Sequence, residues 1–356
     1  MELINFTYIS LIMSQFDYIK NIAKYGLEND QERLLASLNE FIDYSKKTKK
    51  INFALQLQSL VKNSNPRQTI NSLTKVGSDA YFNKIEDREI KELILEKITS
   101  DYRFENLVAT ETILNELRLF IKEQSSFDLL KRFDLPVANK ILFHGPSGCG
   151  KTLASYVLAG ELNRVMLVVN LGAVVSSKLG ETSKNLAKIF KRASEDDCIL
   201  FIDEFDSLGK VRDYSQDHGE MNRIVNTLLQ LFDYLPQRSI LIAATNQKDM
   251  LDEAIVRRFD VNLEFKLPTE ALIKKLIAIT LHNGKFIFDK QVSQNTIVQL
   301  AKGLSYFSIQ KTLITTIKRS LFVSDGQSTP LKATINTKLW KELIITERRS
   351  LSTKQE

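Results

Sequence analysis

The sequence predicts an α/β fold: a five-stranded parallel sheet wound around a glycine-rich turn, with a helical N-terminal region before it and a helical lid after it. Three observations carry this. Residues 140–158, KILFHGPSGCGKTLASYVL, follow the pattern strand, glycine-rich turn, helix. Short apolar runs alternate with helical patterns between residues 141 and 265. After Pro268 the pattern becomes helical throughout. Three regions are therefore expected: 1–100, 101–267 and 268–356.

Residues 1–64 carry helical spacing, with Ile9, Met13 and Phe16 on one face and Leu34, Leu35, Leu38 and Phe41 on another. Ile51, Leu55, Leu57 and Leu60 follow a lysine cluster, Lys46, Lys47, Lys49 and Lys50, which suits a solvated helix end. The region holds no chemical motif, so packing or recognition of a partner is its expected role. Residues 65–80 are polar and turn-rich, as a linker would be. Positions 81–99 space as a helix through Ile85, Ile90, Leu93 and Ile98, and Leu114, Leu117 and Ile121 mark the next.

Core strands are expected at 141–144, 166–170, 198–202, 240–244 and 262–265. Continuous apolar runs such as Met166–Val169 suit parallel strands covered on both faces. Ile224, Leu228, Leu231 and Leu235 form a helical stripe ahead of Pro236. Four lid helices are expected, around Leu272–Ile277, Ile297–Leu304, Ile309–Leu321 and Leu331–Leu343, the last carried by Leu331, Ile335, Leu339 and Leu343.

The turn at 145–152 fits G-x-x-x-x-G-K-[ST] in the strand-to-helix context that the motif requires. Gly145, Pro146, Ser147, Gly148, Cys149 and Gly150 would let backbone N–H groups converge on phosphate oxygens at a helix N-terminus. Lys151 would reach the β- and γ-phosphates, Thr152 would offer a hydroxyl to Mg²⁺, and Leu153 is a further nucleotide-binding candidate. The strand in CILFIDEFDSL, 198–208, delivers Asp203 and Glu204 at its carboxyl end. There Asp203 would orient the metal and Glu204 would polarise an attacking water. In ILIAATNQ, 240–247, Asn246 stands at the same sheet edge and could hold that water. LDEAIVRRFD, 251–260, ends a short helix on Arg257 and Arg258, which suit contact with the nucleotide of a neighbouring subunit.

Together these stretches resemble the AAA branch of the AAA+ ATPases, collinearly over about residues 100–325. GPSGCGKT resembles Walker A, ILFIDEFDSL Walker B, IAATNQ sensor 1, and LDEAIVRRFD the second region of homology with its paired arginine fingers. GEMNRIVNTLLQLFD and LGETSKNLAKIF resemble the helix before sensor 1 and the segment after the central-pore loop. The resemblance is closest to stand-alone, single-cassette bacterial members. It implies a P-loop NTPase core with a lid, and ATP and Mg²⁺ at the subunit interfaces of a ring, usually a hexamer. It also implies hydrolysis coupled to remodelling, disassembly or unfolding of a protein, with the N-terminal region engaging substrate or adaptor. Two departures stand out. Lys178, in Ser177-Lys178-Leu179-Gly180-Glu181, occupies the position of the peptide-gripping aromatic. Ser308-Ile309 stands where a Gly-Ala pair is common, and bulk at Ile309 is expected to alter how the lid meets adenosine.

Bulk composition is compatible with this reading. The 356 residues are 43% hydrophobic and 26% charged, with a net charge of +6. Two alternatives follow from particular features: a nucleotide-gated scaffold with slow turnover, from Lys178, and a nucleic-acid-dependent ATPase of clamp-loader or initiator type, from the lysine cluster. Nothing resembles a nucleic-acid-binding motif, so nucleic acid is not the expected partner. Cys149 and Cys198 suggest no disulfide or metal framework, and His144, His218 and His282 lack ligand-spaced cysteines, which argues against zinc. No HExxH occurs, so any protease would be a separate partner. No signal peptide or membrane-length apolar run is evident, and a cytoplasmic protein without membrane insertion is expected.

Overall fold

A computed structural model describes residues 15–27, 31–48, 54, 57–58, 73–75, 90–175, 178, 180–208, 218–281, 286–289, 291–323 and 333–352. Its main sheet has seven strands: β1 (Leu73–Lys75), β2 (Ile94–Ser100), β3 (Lys140–His144), β4 (Met166–Val169), β5 (Ile199–Ile202), β6 (Ile240–Thr245) and β7 (Val261–Glu264). Their order is β1-β2-β4-β5-β6-β3-β7. The five strands β4, β5, β6, β3 and β7 are parallel, as expected. β1 and β2 add an antiparallel edge.

That edge corrects two expectations. Leu73–Lys75 lie in the stretch taken for a linker, and Ile94–Ser100 in the stretch taken for a helix. The register of β2 against β4 shifts between Ile94 and Glu96. A bulge of this kind breaks the two-residue alternation by which a strand is recognised. The sheet thus begins ahead of residue 101, with β2 covering the edge of β4. Positions 81–89 fall outside the described residues.

Helices cover both faces of the sheet. The N-terminal pair is α1 (Gln15–Leu27) and α2 (Gln31–Lys47); the core carries α3 (Glu111–Ser125), α4 (Phe127–Arg132), α5 (Lys151–Glu161), α6 (Leu171–Val174), α7 (Glu181–Asp196), α8 (His218–Tyr234) and α9 (Glu253–Val256). One face packs Ile141, Phe143, Phe201 and Ile242 against Leu117, Val157 and Leu158. The other packs Leu142, Leu200, Ile202 and Leu241 against Leu186, Phe190, Ile224 and Leu228. Alternate residues of one strand feed opposite cores, as a pleated strand requires. β4, β5 and β6 are buried along their whole length.

The lid holds α10 (Glu270–Thr280), α11 (Gln294–Ala301), α12 (Tyr306–Val323) and α13 (Thr337–Ser352). Thr269 and Ser293 cap α10 and α11 by accepting from Leu272 N and Thr296 N. A two-stranded parallel ribbon, β8 (Phe286–Phe288) with β9 (Ala333–Ile335), was not expected. Ile335 therefore belongs to a strand, Leu331 lies outside the described residues, and α13 turns Trp340 and Ile344 inward rather than Leu339 and Leu343. Trp340 is fully buried, stacks on Phe288 at 5.6 Å and donates Nε1–H to Thr312.

In the N-terminal hairpin, Tyr18 of α1 stacks on Phe41 of α2 at 5.6 Å, and Phe41 and Ile42 are buried. Phe16, expected on a buried face, is 82% exposed. Its companions Ile9 and Met13, with Ile51, Leu55 and Leu60, lie outside the described residues. Lys46 and Lys47 end α2, while Lys49 and Lys50 lie outside the described residues. Among the described residues no helix is long and apolar enough to cross a membrane.

Candidate active site

The chain turns from β3 to α5 through three glycines in left-handed backbone, Gly145, Gly148 and Gly150, with φ of 131°, 71° and 94°. At two of these positions a side chain would also be crowded. A Cβ on Gly145 would meet the Phe265 carbonyl oxygen at 2.1 Å, and one on Gly148 would meet Ser305 Oγ at 2.7 Å. Gly150 precedes α5 with no side-chain cap, so no hydroxyl or carboxylate competes for the first N–H groups of the helix.

A cleft of about 370 Å³ opens over this turn, lined by Ser147, Gly148, Gly150, Lys151, Thr152 and Leu153. Asp203, Glu204 and Asn246 line it from the neighbouring strand ends. Gly145, Pro146 and Cys149 do not line it. Gly145 and Pro146 instead present their carbonyls to Lys151, and Cys149 is buried in the core, where burial pushes its thiol up against the pull of Lys151.

Lys151 is 6% exposed and donates three hydrogen bonds: to the Gly145 carbonyl at 2.6 Å, the Pro146 carbonyl at 2.9 Å and Asn246 Oδ1 at 2.8 Å. Burial lowers its pKa, and Cys149, Asp203 and Asp206 oppose that. Thr152 Oγ1 donates to Asp203 Oδ2 at 2.8 Å, and Glu204 N–H donates to Asp203 Oδ1 at 2.9 Å. Glu204 itself stands in left-handed backbone, with φ of 51°. Such a conformation in a non-glycine residue persists only where the surroundings enforce it. His144, just ahead of the turn, has its pKa lowered by burial first and by Lys248 next.

Arg257 and Arg258 are not among the residues lining this cleft. Their side chains are 73% and 45% exposed, with Arg257 bonded to Glu253 at 2.7 Å and Arg258 to Asp233. Phe259, the next residue, is buried and packs edge-on against Phe205 at 6.1 Å and Phe232 at 5.2 Å. The pair of arginines is thus held out to solvent on a rigid anchor. Lys178 is an exposed bend residue; Ser177 and Leu179 lie outside the described residues.

Two walls of the cleft escaped sequence reasoning. Asn106, Leu107 and Val108 form one, and Leu276, Ile279, Tyr306, Phe307 and Gln310 form the other. The Phe307 N–H donates to the Gly148 carbonyl at 3.1 Å, fastening the lid to the turn. Ile309 does not face the cleft. It is fully buried in the lid core, and Ser308 Oγ donates to Glu347. Tyr306, Phe307 and Gln310 of α12 line the cleft, while Ile309 packs in the same core as Tyr306. Burial pushes the Tyr306 hydroxyl up to about 12.

A glycine turn on a helix N-terminus, with a lysine, a hydroxyl and paired carboxylates converging on one cleft, defines a P-loop nucleotide-binding protein built for hydrolysis. The profile of the ATPase family associated with various cellular activities (AAA) matches residues 141–267. The chain is 36% identical over 224 residues to the uncharacterized AAA family ATPase y4kL of Sinorhizobium fredii, covering 63% of this chain and 67% of that relative. It is 31% identical over 215 residues to a 26S proteasome regulatory subunit homolog of Methanocaldococcus jannaschii, covering 60% and 57%. It is 28% identical over 207 residues to the ATP-dependent zinc metalloprotease FtsH 2 of Thermoanaerobacter sp., covering 57% and 40%. The chain thus spans only part of these relatives, less than two thirds of the second and third. The chain belongs to the AAA family of ATPases, and ATP hydrolysis is the activity that this membership brings.

Proposed function

We propose that the chain hydrolyses ATP with Mg²⁺ at a site shared between neighbouring copies in a ring, and that turnover remodels or disassembles a protein partner. The observation that carries this is the convergence of Lys151, Thr152, Asp203, Glu204 and Asn246 on one cleft while Arg257 and Arg258 stand outside it. Lys151 would exchange its carbonyl and Asn246 bonds for phosphate oxygens. Glu204 would accept a proton from the attacking water, and Asn246 would hold that water in line. Arg257 and Arg258 would serve the nucleotide of the next copy.

The residues present fit Mg²⁺. Thr152 Oγ1 and an Asp203 oxygen lie 2.8 Å apart, and hard oxygen donors suit this ion. Among the described residues no group of three or more His, Cys, Asp or Glu gathers as a metal cage. Thr152 and Asp203 would therefore hold the ion jointly with substrate phosphates. When bound, the ion would offset negative charge on the substrate phosphates.

We also assign residues 1–100 to partner recognition, 101–267 to the ATPase core and 268–356 to the lid, with β2 contributed to the core sheet from the first region. Relatives named for the proteasome and for a protease support action on protein. The exposed Lys178 favours a second form of this reading, a nucleotide-gated scaffold with slow turnover.

Steady-state hydrolysis by wild type and Glu204→Gln tests the assignment. Turnover is expected to fall by about 10²–10⁴-fold while ATP still binds. Equal turnover in the two proteins would remove Glu204 from its role. Release of a captured partner by a non-hydrolysed analogue would favour the scaffold form.

A further inference from the structure

Asp206 lies two residues beyond Glu204 and is only 4% exposed, yet the roles assigned above make no use of it. Its Oδ1 accepts a buried hydrogen bond of 2.9 Å from Thr245 Oγ1, across 39 residues of chain. The same Thr245 oxygen accepts from Gln247 N–H at 3.0 Å. Asn246 stands between those two residues, and its Oδ1 meets Lys151. On the Asp206 side, the Glu204 carbonyl accepts from Ser207 N–H at 2.8 Å, closing the short 3₁₀ turn Phe205–Leu208.

We propose that Asp206 and Thr245 are positioning residues for hydrolysis: the buried bond between them pins the turn that carries Glu204 to the strand end that carries Asn246. This rests on the roles proposed for those two residues. The physical argument has three parts. Glu204 is in left-handed backbone, which must be enforced from outside the residue. β5 pairs with β6 only as far as Ile202 and Ala243, and beyond that point the hydrogen bonds of Glu204 run to Asp203 and Ser207 within its own turn. Asp206–Thr245 is a side-chain bond from that turn to the sensing strand, and it is sealed from water. A buried carboxylate bonded to a hydroxyl is a poor way to gain stability, since an apolar pair of similar shape serves as well or better. It is an effective way to fix one geometry, because the bond is buried away from competing water.

Thr245→Val keeps the shape and removes the hydroxyl; Thr245→Ser keeps the hydroxyl. With ATP and Mg²⁺ as probe, Thr245→Val is expected to lose about tenfold or more in kcat, as small misplacements of reacting groups do, with KM within about twofold. Thr245→Ser is expected to stay within about threefold of wild type. A Thr245→Val kcat equal to wild type, a rise in KM alone, or an equal loss in the serine variant would overturn the proposal. Should the valine variant fail to fold, Asp206→Glu takes its place, its extra methylene displacing the carboxylate. It is then expected to lose kcat while Thr245→Ser does not, and equal kcat in both would overturn the proposal. Glu204→Gln in the same assay separates the layers. If it retains turnover, the assignment beneath has failed. If it loses turnover while Thr245→Val does not, only the positioning role has failed.

Discussion

The two halves of the candidate site are held in different ways. Around Lys151 the polar side chains are locked to one another: Lys151 to two carbonyls and Asn246, Thr152 to Asp203, and Asp206 to Thr245. Around Arg257 and Arg258 the partners are surface carboxylates, Glu253 and Asp233, which are 80% and 50% exposed. Bonds of the first kind are formed before substrate arrives and need no second chain. Bonds of the second kind are easily exchanged, since exposed pairs contribute about 0–1 kcal/mol. In the proposed ring a neighbour's phosphate would replace Glu253 or Asp233 at small cost, whereas the Lys151 half would yield only to a ligand that offers several oxygens at once.

The largest effect should come from breaking the exchangeable half. Replacing Arg257 and Arg258 together by alanine is expected to lower turnover by about 10³-fold, the scale of an arginine supplied in trans. Thermal stability should hardly change, because the two ion pairs lost are exposed. Mixed with the Glu204→Gln variant, the double alanine protein should regain activity, since some interfaces would then pair an intact Glu204 with intact arginines. Absence of any recovery in titrated mixtures would place the arginines in the service of their own chain.

Lys151→Ala tests the pre-formed half. It is expected to weaken ATP binding by about 100-fold, from loss of a charge-assisted contact in a desolvated site. Mixing with other variants should not rescue that site. Equilibrium binding of a fluorescent ATP analogue measures both points.

A smaller effect is expected at the join between turn and lid. Gly148→Ala puts a side chain at φ 71° and within 3.0 Å of Phe307 Cβ. The backbone strain alone amounts to about 1–2 kcal/mol. KM for ATP should rise about tenfold if the Phe307–Gly148 bond shapes the cleft, with a fall of a few degrees in Tm. An unchanged KM would mean that the lid contact is incidental to binding.

The same contrast explains what the sequence revealed. Asp203, Glu204 and Asn246 follow the ends of continuous apolar strands, and Lys151 and Thr152 open the helix after the glycine turn, so parallel topology and that turn together bring them to one cleft. The five parallel strands were legible for the same reason: β4, β5 and β6 are apolar over their full length. β2 was not, because its bulge breaks the alternation and it buries Lys97, Thr99 and Ser100 as well as Ile98. The lid wall of the cleft was hidden for another reason. Tyr306, Phe307 and Gln310 differ little in type from their neighbours, and only the rotation of α12 separates them from Ile309. Asp206 was visible as one more acid in DEFD, but its partner Thr245 lies 39 residues away.

The sheet also offers a control on buried charge, a second lysine far from the motif. Lys97, on β2, is 8% exposed and held by the Asp196 carboxylate at 3.7 Å, where Lys151 has three oxygens within 2.9 Å. Burial pulls the Lys97 ammonium down to about 8 from 10.5, against the pull of Asp196. The unfolded chain keeps that proton to higher pH, so above about 8 it binds more protons than the folded chain and stability rises with pH. Cys198 opposes this from about 9 upward, because burial pushes its thiol up to about 12 and only the unfolded chain ionises there. Between about pH 8 and 9 the Lys97 contribution therefore rises before Cys198 sets in against it. Lys97→Met should flatten the rise across that window, a slope of at most about 1.4 kcal/mol per pH unit. It should also raise stability at pH 7, since Asp196 keeps Arg192 as a partner at 3.0 Å. Urea midpoints at pH 7, 8 and 9 measure it. An unchanged slope would show that a lysine on this sheet can be buried beside one carboxylate without penalty, and the three oxygens around Lys151 would then no longer be explained by the demands of burial.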